Sequence, residues 1–116
     1  MLRRAMFVPS IERLVRMADE NGHVVQNKDG IWQKRTDGSP LQFTDSIGRK
    51  FSPPLLRADF EAWCKAGLIS EELSASAEHG VVFAITPYGF EACTKLVARR
   101  GLHKAAIGRL SDATQP

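Results

Sequence analysis

The side chains most able to hold a metal or act as nucleophiles are His23, His79 and His103 with Cys64 and Cys93. The histidines stand far apart in the chain. No cysteine or acidic residue lies at ligand spacing from any of them, so no zinc pattern is formed. Both cysteines fall in stretches that read as helix, where a reduced thiol ordinarily packs as a small apolar group; meeting across the core, they would form a redox pair instead. Gly30, Gly38 and Gly48 are too scattered for a phosphate-cradling loop and sit in turn contexts. These residues predict no cofactor, no metal and no enzymatic chemistry.

Charge is more informative. The chain has 16 Lys and Arg against 13 Asp and Glu, a net charge of +3 and an isoelectric point near 9.1. Residues 1–27 and 28–50 are mildly basic, and residues 51–91 are acidic. Residues 92–116 are basic through Lys95, Arg99, Arg100, Lys104 and Arg109, opposed by Asp112. Glu71, Glu72 and Glu78 form an acidic run without a compensating base. A basic balance of this size makes nucleic acid or an acidic partner worth considering without requiring either.

The elements that must position these groups follow from period and punctuation. At 116 residues and 43% hydrophobic, the chain suits one domain with its own core. Its longest wholly apolar run, Val81–Ile85, is far short of the ~20 residues a membrane span needs. Ala5 to Val8 is too short for a secretory signal, which predicts a cytoplasmic location.

Ile11, Leu14, Val15 and Ala18 recur at helical spacing behind Pro9 and Ser10 and before Gly22, predicting a helix over 10–21. The runs 23–26 and 31–33 flank a polar, glycine-ended turn and predict a hairpin, with turn chemistry over 36–40. Thr44 is placed to cap a short helix in which Ile47 and Phe51 share a face. Ser52 before two prolines predicts a longer helix over 53–66, with an apolar face of Leu56 (or Leu55), Phe60, Trp63 and Cys64, closed by Gly67. Leu68-Ile69 and Val81–Ile85 read as a two-stranded ribbon, Thr86-Pro87 restarts a helix, and residues 102–110 predict another before a frayed tail.

From Thr44 onward this pattern resembles the winged helix-turn-helix family of bacterial and phage regulators. Three features carry the resemblance: the short helix before a longer one, the run Leu56-x3-Phe60-x6-Gly67-Leu68-Ile69, and Ile85-Thr86-Pro87-Tyr88-Gly89 leaving the second wing strand. It covers residues 44–100, with the first helix supplied by 10–21. The implied fold is α+β, a winged helix with an extra hairpin or loop between its first and second helices. Residues 1–101 would form the domain and 102–116 a short C-terminal helix and tail.

The resemblance implies duplex-DNA binding, without catalysis, by a dimeric transcriptional regulator whose C-terminal helix supplies the dimer contacts. Arg57 would read a base edge, Arg49, Lys50 and Ser52 would lie at the turn before the recognition helix, and Lys34 and Arg35 would reach flanking backbone. The wing departs from the family pattern. Glu78-His79-Gly80 stands where several members have an Asp-x-Arg pair, and residues 70–80 carry three glutamates and no base. Such a wing repels phosphate, and it frames the alternative, a protein-interaction module whose contact surface is Glu71, Glu72 and Glu78.

Overall fold

The computed structural model describes residues 8–73 and 80–99. Helix α1 (Ser10–Asp19) follows an extended Pro9 and buries Arg13, Leu14, Val15 and Met17. Ile11, expected on the inner face, is 41% exposed. The face turns instead toward the Arg13–Met17 row, four residues apart, because Met17 fills the core and Arg13 has polar partners there. Asn21, in the left-handed region at φ 53°, ends the helix. Its N–H donates to the Ala18 carbonyl at 3.2 Å, and that of Gly22 to Met17 at 2.9 Å, which satisfies carbonyls the helix leaves open.

The expected hairpin forms as β1 (His23–Asn27) and β2 (Gly30–Lys34), in register from His23 opposite Lys34 to Asn27 opposite Gly30. The Asn27 side chain accepts the Asp29 N–H at 2.8 Å and so shapes the turn. The expected ribbon forms as β5 (Ile69–Glu71) and β6 (Val81–Ile85). Hairpin and ribbon are one antiparallel sheet, because β6 also pairs with β1, Val24 opposite Phe83; the order is β2-β1-β6-β5. Irregular chain covers much of the outer edge of β2. Leu41 N–H donates to Gln33 at 3.0 Å and Leu55 N–H to Ile31 at 2.8 Å, which blunts an otherwise sticky edge.

The expected short helix at Thr44 is absent. Residues 43–51 make a two-stranded ribbon, β3 (Phe43–Thr44) and β4 (Lys50–Phe51). The reason is Asp45. Its carboxylate accepts the N–H groups of Ile47 at 3.0 Å and Arg49 at 2.8 Å, and its own N–H bonds the Arg49 carbonyl at 2.9 Å. A side chain that satisfies its neighbours' N–H groups in a turn removes the incentive to form a helix. Ile47 consequently points outward, 69% exposed.

Helix α2 (Arg57–Lys65) starts four residues later than the sequence predicts. Ser52 and Pro53 each precede a proline, and that crowding disfavours helical backbone at both; residues 52–56 lie outside any helix, and Leu56 is extended at φ −67° and ψ 142°. Leu55 is therefore the buried residue and Leu56 is 58% exposed. Phe60 and Trp63 are buried as expected. Phe60 meets Phe83 of β6 edge to face, centroids 4.9 Å apart, and the Trp63 indole N–H donates to Ser10 Oγ of α1 at 3.0 Å. Gly67, at φ 78°, ends the helix.

Helix α3 (Pro87–Arg99) begins at the expected Thr86-Pro87. Thr86 Oγ1 donates to the Gly67 carbonyl at 2.7 Å and accepts the Gly89 N–H at 2.8 Å, tying the start of α3 to the end of α2. The core joins α1, α2, α3 and the inner sheet face through Met17, Val24, Ile31, Phe60, Trp63, Ile85 and Cys93, with Leu41, Phe43 and Leu55 closing it. Glu78, His79 and residues 102–110, where a helix with Leu102, Ile107 and Leu110 is expected, lie outside the described residues. No helix among the described residues is long and apolar enough to cross a membrane.

Candidate nucleic-acid interface

The basic residues singled out from sequence separate into two groups. Arg49 and Lys50 sit at the end of the β3–β4 ribbon, and Arg57 opens α2. Residues 52–56 join them and are tied by the Leu55–Ile31 bond to the start of β2. Lys34 ends β2 and Arg35 follows it. At ~3.3 Å rise per strand residue, Lys34 lies on the order of 10 Å along the strand from that tie.

Within the first group the charges differ in freedom. Arg49 is held by its own turn, its Nε 3.0 Å from Asp45 Oδ2, although 69% of the side chain is exposed. Burial raises the Asp45 carboxyl, but the N–H groups of Arg49 and Ile47 and the Arg49 guanidinium outweigh it and hold the pKa below its ordinary value. Lys50 is exposed and makes no ion pair among the described residues. Arg57 is 64% exposed and only loosely associated with Glu61, 3.8 Å away on the next turn, an arrangement of small net energy that leaves it available to another anion. Ser52 is half-buried.

The second group faces differently. Arg35 Nε lies 3.3 Å from Glu20, whose other oxygen takes Arg16 at 3.2 Å, so Arg35 is drawn toward the C-terminal end of α1. Lys34 is half-buried opposite His23, and burial together with the Lys34 charge lowers the His23 pKa. Val82, Val25 and Trp32 lie in register across β6, β1 and β2 on the outer face of the sheet, all half-buried.

Glu71 and Glu72 are exposed at the end of β5, followed by Leu73 at 84% exposure. The described residues carry as many Asp and Glu as Lys and Arg. The chain's net +3 therefore comes from Arg3, Arg4, Arg100, Lys104 and Arg109 against Glu78 and Asp112, all outside them. Burial raises the pKa of both thiols, with the Glu61 charge adding to it at Cys64, which works against thiolate chemistry. No group of three or more His, Cys, Asp and Glu among the described residues is placed to hold a metal ion.

Sequence reasoning passed over Arg13, which it counted only as a charge on the first helix. It is 4% exposed. The signal was its position four residues before Met17, on the row that turns inward. Comparison of the chain with protein-family models, curated proteins and solved structures finds no match.

Proposed function

We propose that this chain is a non-enzymatic, winged-helix-type DNA-binding regulator that acts in the cytoplasm. In this reading α2 is the recognition helix and β5–β6 the wing. The observation that carries it is the exposed start of α2, where Leu56 and Arg57 face solvent a few residues along the chain from the Arg49 and Lys50 ribbon. The sheet supports it: a strand following the first helix, β1, lies beside β6, and β6 beside β5, directly after the helix that would enter the groove. The β3–β4 ribbon stands where a winged helix has its second helix. Arg57 reads a base edge, Arg49 and Lys50 contact phosphate and Ser52 meets the DNA from the turn before α2, while Lys34 and Arg35 reach flanking backbone. The terminal bases add sequence-independent attraction. The dimer forms through residues 87–110, where Tyr88 and Phe90 are 59% and 39% exposed.

Fluorescence anisotropy against random-sequence duplex at two salt concentrations tests the reading. Charge reversal at Lys50 and Arg57 lowers affinity and makes log K fall less steeply with log salt, by ~0.9 for each phosphate no longer neutralised. Unchanged affinity and slope overturn the assignment of these residues.

A second reading rests on Glu71, Glu72 and the exposed Leu73: the acidic edge docks a protein partner. Changing Glu71, Glu72 and Glu78 together to Gln separates the two. A wing that approaches DNA then binds duplex more tightly, whereas a protein-docking edge associates with its partner more slowly.

A further inference from the structure

Arg13 is a charged side chain in the core of α1, and its partners lie on two other segments. Its Nε donates to Gln33 Oε1 at 2.7 Å, Nη1 to the Pro54 carbonyl at 2.9 Å and Nη2 to the Pro53 carbonyl at 2.6 Å. Gln33 Nε2 returns a bond to the Arg13 carbonyl at 3.1 Å, and the guanidinium carbon stands 5.3 Å from the centre of the Phe43 ring. Burial pulls the Arg13 pKa down to about 10 and the Asp59 charge on the first turn of α2 opposes the shift, so the group is a cation at neutral pH.

The acceptors give this arrangement its meaning. Prolines 53 and 54 have no N–H, so their carbonyls are the only main-chain polar groups by which that stretch can be gripped. Both bond one guanidinium, and the next residue, Leu55, bonds Ile31 of β2. The planar fork of an arginine holds its donors on three nitrogens in fixed directions and so spans acceptors on two segments, whereas the three donors of a lysine radiate from a single nitrogen.

We infer that Arg13 is the positioning residue of the α2 surface: it clamps residues 52–56 to α1 and so sets the direction in which Leu56 and Arg57 leave the core. Its effect on DNA affinity rests on the function proposed above; its effect on the path of residues 52–56 does not.

Native-state hydrogen exchange by NMR, paired with duplex binding, tests the inference on Arg13→Lys and Arg13→Met. The amides read are those of Leu55, bonded to Ile31, and Phe60, bonded to Leu56. The expected result is exchange at least tenfold faster at these two, relative to amides of β1 and β6 in the same sample. Affinity for random duplex falls at least fivefold and log K falls less steeply with log salt, because a base steered away from its phosphate no longer displaces a counterion. Exchange that accelerates uniformly, or equally in a Cys93→Ala control, means that Arg13 contributes only general stability and overturns the inference.

If neither variant folds, the wild-type protein decides. Bonded Nη protons give separate, slowly exchanging resonances, and one averaged signal overturns the clamp. Selective exchange in a protein whose wild type binds no duplex overturns the DNA reading and leaves the clamp standing.

Discussion

Replacing Ser10 by Ala probes how α2 is anchored on α1. The Trp63 indole is 4% exposed and its N–H has Ser10 Oγ as acceptor at 3.0 Å. Pro9, not Ser10, holds the N-cap position of α1, so the substitution removes this acceptor without a capping loss. A buried N–H left without a partner costs about 1–3 kcal/mol. Trp63→Phe removes the donor and part of the ring: ~40 Å² of apolar surface at ~25 cal/mol per Å² is about 1 kcal/mol, with a void term of similar size.

In the double variant no indole N–H is left to orphan, so the Ser10→Ala cost disappears and the two costs fall short of additive by about 1–3 kcal/mol. Urea unfolding followed by far-UV circular dichroism gives all four stabilities, provided the dependence on urea is equal among them. A Ser10→Ala cost below about 0.3 kcal/mol, or strict additivity, would refute the anchoring, since a real buried bond costs more than that to orphan. Trp63→Ala, which empties the site, costs about 3–5 kcal/mol.

Three further outcomes are expected. The His23 pKa is depressed, so the unfolded chain takes up its proton first as pH falls; the stability linked to it is complete above 6.5 and is lost as pH drops through the lower native value. NMR titration reads that value, and His23→Gln flattens the stability profile across this window. Asp45 behaves likewise in acid: its contribution is present above the ordinary 3.8 and lost as pH falls through the lower native value, and Asp45→Asn abolishes that part of the acid transition. A Cβ on Gly89 would collide with the Leu68 carbonyl oxygen and meet Ile85 Cγ2 at 2.8 Å, so Gly89→Ala forces α3 off the α2–β5 junction and costs about 1–3 kcal/mol, whereas helix propensity alone would make it stabilising. A raised melting temperature would contradict that packing.

Elements that announce themselves locally were legible in the sequence. The β1–β2 turn, the body of α2 with Phe60 and Trp63, the β5–β6 pair and the Thr86-Pro87 start of α3 all carry period or punctuation that acts within a few residues. What was not legible depended on distant partners or on close competition. Nothing in residues 23–27 says that β1 will pair with residues 81–85, because strand pairing is chosen by the whole sheet. At Thr44 a cap and an apolar spacing favoured helix, while Asp45, one residue later, could satisfy the same N–H groups in a turn, and the turn prevailed.

The choice between Leu55 and Leu56 was left open by period and decided by the prolines. Of the candidate site, Arg57 and Lys50 were found as exposed bases; the Asp45–Arg49 pair, four residues apart, was within reach of spacing, but the pairing of Arg35 with Glu20 was invisible, since it joins the end of a strand to the end of a helix. Arg13 was missed because a charge is expected outside.

Chemical-shift mapping of the isotope-labelled protein titrated with a random-sequence duplex tests the proposed DNA contact most directly. The account predicts that the largest perturbations fall on residues 49–58, with α2 carrying them from its N-terminal end, and that they fade as salt rises. Perturbations confined to the tails, or saturable shifts centred on residues 69–73 with none at Arg57, would contradict it.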